Sequence, residues 1–419
     1  MLIINIGMIH LEKISTVRSD TYTNLQYSFS DGMEHPGLIG IFYNNPEFAV
    51  EIKKQCERNG LAFGLRFGAK GVTVDSLLQV HEPALRKNLK HTTQLHNYWF
   101  EISPSCFMSI PTPQREELIT LYNIIVFDYI DGGYRVENIL PKAYRNDNRI
   151  LNASGAFDKF GNETMCIPVY PHITYQEANR TGNIVPQSVI DNEKQKLCLF
   201  PSHKPRPSRL ATLAKLNELD ILDSQVDWSL TVNWEEDGDF GDYFKSPNVG
   251  IDRYGHSLIQ SESVKKFVKK YKNKLPKVLP DSTIESFKDC IPLNKRYAGN
   301  YTWKIACEPY PYIKFNTEKT FKGFMAGIPV LTIGPKNLNK WLVDAGYIME
   351  YTELYDHLEF GEERIDAVIN TMVSKQPNLD VVRHNYKLSH DVEFLASLVV
   401  GPLTKRLVPK RSLEAPTRQ

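Results

Sequence analysis

Residues 314–335 read KFNTEKTFKGFMAGIPVLTIGP, and this stretch constrains the fold more than any other. It opens polar, with Asn316 and Thr317 where a helix N-cap belongs. Glu318, Lys319 and Thr320 fill the first turn, an apolar helix follows, and Gly327 supplies the stop. Residues 328–333 are then a short apolar strand. A helix that empties at once into a buried strand is half of a repeating α/β unit. Its N-terminus predicts free N–H groups and the positive end of a dipole, which suit a phosphate. Lys319 adds a full positive charge, and Glu318 offers oxygens to sugar hydroxyls. The plainer reading is an ordinary helix cap beside a surface lysine.

The rest of the second half carries the same alternation. Residues 196–200 read as a strand, 207–218 as a helix, 226–232 as a strand and 263–274 as a basic helix. Residues 302–308 form another strand ending on Glu308, and 337–344 and 386–398 read as helices. Ligands of such a sheet belong at the carboxyl ends of its strands. In the first half, residues 123–127 (NIIVF) are a continuous β-branched and aromatic run, which predicts a buried parallel strand. Shorter runs at 2–6, 38–43, 150–152 and 165–170 read as further strands, and 48–58 as a helix.

A chain of 419 residues predicts two domains rather than one. The boundaries read as 1–185, 195–380, and a helix with a basic tail over 381–419, with a polar linker at 181–196. The 50 basic and 49 acidic residues nearly cancel, which excludes a global polyanion-binding field. No apolar run approaches the ~20 residues of a membrane span. The opening MLIINIGMIHLEKI lacks a basic n-region and reads as a strand, not a signal peptide. Six dispersed cysteines without a CxxC pair suggest a reducing compartment and no structural zinc, so the expected location is the cytoplasm of a microbe or of a virus-infected cell. GxGxxG and GxxxxGK[ST] are both absent, which removes the main support for dinucleotide and P-loop readings.

Three blocks together resemble one family. The TEK triplet at 317–319 ahead of GIPVL resembles the nucleotide-sugar signature of GT-B glycosyltransferases, closest to the α1,3-fucosyltransferase-like proteins and their bacterial and phage relatives. Residues 197–218, LCLFPSHKPRPSRLATLAKLNE, resemble the strand–loop–helix that opens the nucleotide-binding domain in that group. Residues 302–308, TWKIACE, match the strand ending in Glu before the TEK helix. The likeness covers the second half only. It departs from the family pattern at Gly323, usually Pro, and at Ser208, usually His.

The resemblance implies a GT-B fold, with two Rossmann-like, doubly wound α/β domains facing a central cleft. It implies transfer of a sugar from a UDP- or GDP-linked donor to a hydroxyl acceptor, with no cofactor and no bound metal. Lys319 and one of Arg206 and Arg209 would hold the diphosphate, since Arg grips phosphate through paired hydrogen bonds. Glu318 would accept from ribose hydroxyls, with Thr317 and Thr320 beside it. Glu308 would orient the site or bond the donor sugar. A base from the first domain would take the acceptor proton. The candidates are Asp128 and Asp131, which follow the 123–127 strand, and Glu34.

Two further features bear on alternatives. Asp237-Gly238-Asp239 is a DxD triplet of the kind that holds Mn²⁺ or Mg²⁺ in GT-A enzymes, here inside an acidic run with no clear preceding strand. Residues 263–277 carry seven lysines, which read as a solvated face or as contacts to nucleic-acid phosphates. The second option fits an enzyme that modifies hydroxymethylated bases in DNA; a glycan is the other possible acceptor. A non-catalytic nucleotide-sugar or glycan-binding protein is the rival from a different class.

Overall fold

The computed structural model describes residues 170–180, 182–202, 205–231, 258–279, 297–308, 314 and 316–407. Before residue 170 it describes segments 11–18, 23–29, 65–67, 99–102, 123–128, 141–145, 150–154 and 165–166, with isolated positions between them. The chain divides into two compact units, residues 1–173 with 392–419, and residues 174–391.

In the first unit, β1 (Leu11–Arg18) and β2 (Thr23–Phe29) pair antiparallel. A separate parallel sheet holds β3 (Leu65–Phe67), β4 (Trp99–Ile102), β5 (Asn123–Asp128), β6 (Ile150–Ser154) and β7 (Met165–Cys166), in sequence order across the sheet. The NIIVF run is its central strand, as an unbroken apolar run predicts. The 165–170 run is a strand only at its start, because helix α1 (Tyr170–Arg180) begins at Tyr170. The runs at 2–6 and 38–43 lie outside the described residues.

The second unit is built on a four-stranded parallel sheet of β8 (Lys196–Phe200), β9 (Val226–Trp228), β10 (Tyr301–Cys307) and β11 (Val330–Ile333). The strand order is β11-β10-β8-β9. From β8 the chain moves one way to β9, then crosses back to place β10 on the other side. The topological switch point is therefore between β8 and β10, where an open α/β sheet forms its ligand crevice. Helices α2 (Pro207–Glu218), α3 (Glu262–Tyr271), α4 (Glu318–Met325), α5 (Lys340–Asp344), α6 (Glu362–Ser374) and α7 (Leu379–His390) belong to this unit. The parallel sheet and its helices are compatible with a doubly wound, Rossmann-like fold.

One apolar core runs from Cys198 and Phe200 through Leu210, Leu213 and Trp228 to Trp303, Ile305, Leu331 and Ile333. Cys198 and Cys307 are buried free thiols on neighbouring strands. On α3 the residues Val264, Phe267 and Tyr271 face inward, and Phe267 and Tyr271 pack on Trp228 with ring centroids 5.9 and 5.2 Å away. The lysines of α3 are left on the opposite, exposed side, as the helical period requires.

Three local expectations are corrected. The strand expected over 226–232 ends at Trp228, and Leu230 instead bridges antiparallel to Lys277. The tail is two helices, not one: α7 stops at His390, Asp391 is extended, and α8 (Val392–Leu407) continues in the first unit. There Gln55 Nε2 donates to the Glu393 carbonyl at 2.8 Å. The polar stretch around 187–194 is not strung out as a linker; it packs within the second unit. Ile190 is fully buried, and Lys194 Nζ donates to the carbonyls of Ile190 and Gly299, both at 2.8 Å. One buried apolar side chain and the two bonds of Lys194 anchor it, which periodicity does not register. Among the described residues, no helix is long and apolar enough to cross a membrane.

Candidate functional site

Two loops leave the sheet at the switch point. The one after β8 leads into α2, and the one after β10 leads into α4. Arg206 is the extended residue before α2, and Pro207 occupies the first helical position, where its missing N–H costs nothing. Arg209 follows within the first turn and is 5% exposed. Burial, and then Arg206 beside it, pull the Arg209 guanidinium down to about 10; Cys307, Glu318 and Glu308 oppose that shift. Thr212 Oγ1 of α2 lies 3.6 Å from Sγ of Cys307, the last residue of β10, so the start of α2 and the carboxyl end of β10 adjoin.

Glu308 follows β10 directly, and its backbone N–H donates to the Ile333 carbonyl at 2.9 Å. Its carboxylate is 1% exposed and points into the start of α4. Oε1 accepts from the Thr317 amide at 3.0 Å and from the Thr320 hydroxyl at 2.7 Å. Oε2 accepts from the Thr317 hydroxyl at 2.6 Å. A capping box normally takes its carboxylate from the third residue of the helix itself. Here the preceding strand supplies it. Burial pushes the Glu308 carboxyl up, while the Lys319 charge and the two threonine hydroxyls partly offset that.

Thr317 is the N-cap of α4, as its residue type predicts. Its hydroxyl accepts from the Lys319 amide at 3.4 Å and from Lys319 Nζ at 3.0 Å. Lys319 Nζ also donates to Glu318 Oε1 at 2.7 Å. Burial alone would raise the Glu318 carboxyl, but the Lys319 charge, its hydrogen bond and Lys322 hold it down to about 2. Asn316 braces the turn from outside. It accepts from Trp341 Nε1 at 2.7 Å and donates to Thr320 Oγ1 at 3.4 Å.

The expectation of free amides at this helix start is corrected for the N-cap and for the second and third residues of the helix. The Thr317 amide goes to Glu308, the Lys319 amide to the Thr317 hydroxyl, and the Thr320 amide to the Thr317 carbonyl at 3.1 Å. The turn also offers an anion the half-buried Lys319 ammonium. It has three hydrogens, of which two are used by Glu318 and Thr317. Arg209, in the first turn of α2, adds a second cation.

Of the residues the sequence singled out, Arg206, Arg209, Glu308, Thr317, Glu318, Lys319 and Thr320 all belong to these two adjoining loops and helix starts. Asp128 is the last residue of β5, in register with Ser154 of β6. Asp131, Glu34, Asp237 and Asp239 lie outside the described residues. Sequence reasoning passed over Lys304. It is a lysine inside β10 with 4% exposure, whose Nζ donates to the Lys319 carbonyl. A charged residue in the apolar run TWKIAC was the available signal.

No family model matches this chain, and no curated protein matches it. Among solved structures the chain is similar to the Glycosylation Associate Protein (Gap123) complex from Streptococcus agalactiae, at TM-score 0.35 and 10% identity. The similarity covers 78% of this chain and 58% of that one, so this chain spans less than two thirds of its length. At that TM-score the likeness adds nothing to the geometry of the site.

Proposed function

We propose that this protein is a metal-independent GT-B glycosyltransferase that moves a sugar from a nucleoside-diphosphate donor to a hydroxyl acceptor. The observation that carries the reading is the switch point of the second sheet, which gathers Arg209, Glu318 and Lys319 into one environment. Two cations at the carboxyl ends of parallel strands suit a diphosphate. They matter most at the transition state, when the bond from the sugar to the diphosphate oxygen breaks and negative charge builds on the leaving group. The acceptor oxygen forms the new bond to the sugar carbon, and its proton passes to a carboxylate base. Asp128, Asp131 and Glu34 are the candidates for that base. Glu318, adjacent to Lys319, is assigned to the ribose hydroxyls. Glu308 is assigned to positioning rather than to the donor sugar, because both its oxygens are engaged by Thr317 and Thr320.

A thermal-shift series with UDP-, GDP-, CMP- and dTDP-sugars tests the donor site. A donor at a hundred times its Kd stabilises the fold by about 2.7 kcal/mol. Release of nucleoside diphosphate with EDTA present then separates an enzyme from a protein that only binds the donor. Loss of turnover on chelation, restored by Mn²⁺, would move the chemistry to Asp237 and Asp239 and end the metal-independent reading.

A further inference from the structure

Lys304 stands in the middle of the second sheet, opposite Val330 on β11 and in register with Leu199 on β8. Strands in such a place are ordinarily apolar throughout, because a buried ammonium loses its water. Lys304 and Glu308 are four residues apart on an extended stretch, so they share the sheet face that α4 covers. The Lys304 stem runs beneath Gly323, where an added Cβ would lie 3.1 Å from Lys304 Cδ. Its ammonium ends at the Lys319 carbonyl, in the first turn of α4. An apolar side chain of the same length would fill that space without the desolvation penalty. The charge therefore needs a reason beyond packing.

We propose that Lys304 is a positioning residue of the donor-diphosphate site: it holds the Lys319 main chain in place and sets a fixed positive charge beneath the start of α4. This rests on the donor-site reading above. The charged groups that Lys304 faces are Glu308 on its own strand and Glu318, Lys319 and Lys322 on α4; β8 presents Leu199 and the neutral, buried Cys198 thiol, and β11 presents Val330. Burial draws the Lys304 ammonium down to about 8; the two glutamates pull it back up, and Lys319 and Lys322 push it further down. The buried charge is thus present at neutral pH and is lost as pH rises through about 8. Because the folded value lies below the ordinary 10.5, the charge is a burden on stability below about pH 8. That burden is relieved between about 8 and 10.5.

The two roles separate in one experiment on the full chain. UDP and GDP binding are measured by calorimetry between pH 7.0 and 8.8 for the wild type, Lys304→Met and Lys304→Gln, with thermal stability followed in parallel. The wild type is expected to lose diphosphate affinity across that range. Lys304→Met is expected to bind about tenfold more weakly at pH 7, with a flat pH profile and an unchanged or higher melting temperature. A variant that binds as tightly as wild type with the same pH profile overturns the role of Lys304. So does a wild-type profile that is flat through pH 8, which decides the matter even where the variants do not fold. Failure of the wild type to bind either diphosphate at any pH would instead remove the donor-site reading on which the proposal rests.

Discussion

The Glu308 carboxylate takes both the amide and the hydroxyl of Thr317, at 3.0 and 2.6 Å, and so fixes where α4 begins from the end of a different element. Because the N-cap is tied to β10, the place of Lys319 in the crevice follows from the sheet and not from the helix alone.

Glu308→Gln tests this tie. One oxygen becomes an NH₂ group, which meets either the Thr317 amide and Thr320 hydroxyl or the Thr317 hydroxyl. An unsatisfied buried polar group costs about 1–3 kcal/mol. A clear fall in melting temperature is expected, with weaker diphosphate binding even where the variant is fully folded. Unchanged stability would show that the carboxylate does not hold the cap.

Lys319→Ala removes the half-buried ammonium assigned to the diphosphate. A charge-assisted bond is worth roughly 1.5–3 kcal/mol, and 1.4 kcal/mol is about tenfold in affinity. Nucleoside-diphosphate binding is expected to weaken by about ten- to a hundredfold on titration calorimetry. Glu318→Gln is expected to weaken nucleoside diphosphates more than inorganic pyrophosphate, since its assigned partners are ribose hydroxyls. If both variants bind every nucleotide sugar as wild type does, the turn is only a helix cap.

Gly323→Ala ought to stabilise a helix interior by up to about 1 kcal/mol on propensity alone. Here the added Cβ would lie 2.2 Å from Val330 Cγ2 and 3.1 Å from Lys304 Cδ. Overpacking of this kind typically costs about 1–3 kcal/mol, so the net effect is destabilising. Denaturant melts should show the loss, and the double variant with Val330→Ala should recover part of it. A stabilised single variant would mean that α4 rides higher over the sheet than described.

The lysines of α3 are where a duplex acceptor would dock. Lys265 pairs with Glu262 and Lys270 bonds Asn217, while Lys266 and Lys269, and Lys272 just past the helix, have no ion pair among the described residues. Binding of duplex DNA would fall with salt at a log–log slope of about −0.9 per neutralised phosphate, and changing these three lysines to Gln would flatten it. Absence of duplex binding at low salt assigns the acceptor to a glycan or small-molecule hydroxyl.

Local pattern made part of this legible from sequence. Thr317 as cap, Glu318 through Met325 as helix, Gly327 at φ +63° and the apolar strand beyond all follow from capping, helical period and glycine's freedom at positive φ. So does the placement of Glu308 and Arg209 at element ends. The sequence could not say that β10 lies beside β8 rather than beside β9, because parallel pairing joins strands about a hundred residues apart and leaves no local period. That pairing created the switch point and brought Arg209 toward Glu318 and Lys319. Tertiary structure alone also decided that the Thr317 amide is taken up by Glu308, and that Lys304 is buried beneath the helix. Each depends on how closely α4 settles on the sheet, which Gly323 permits and no run of residues encodes by itself.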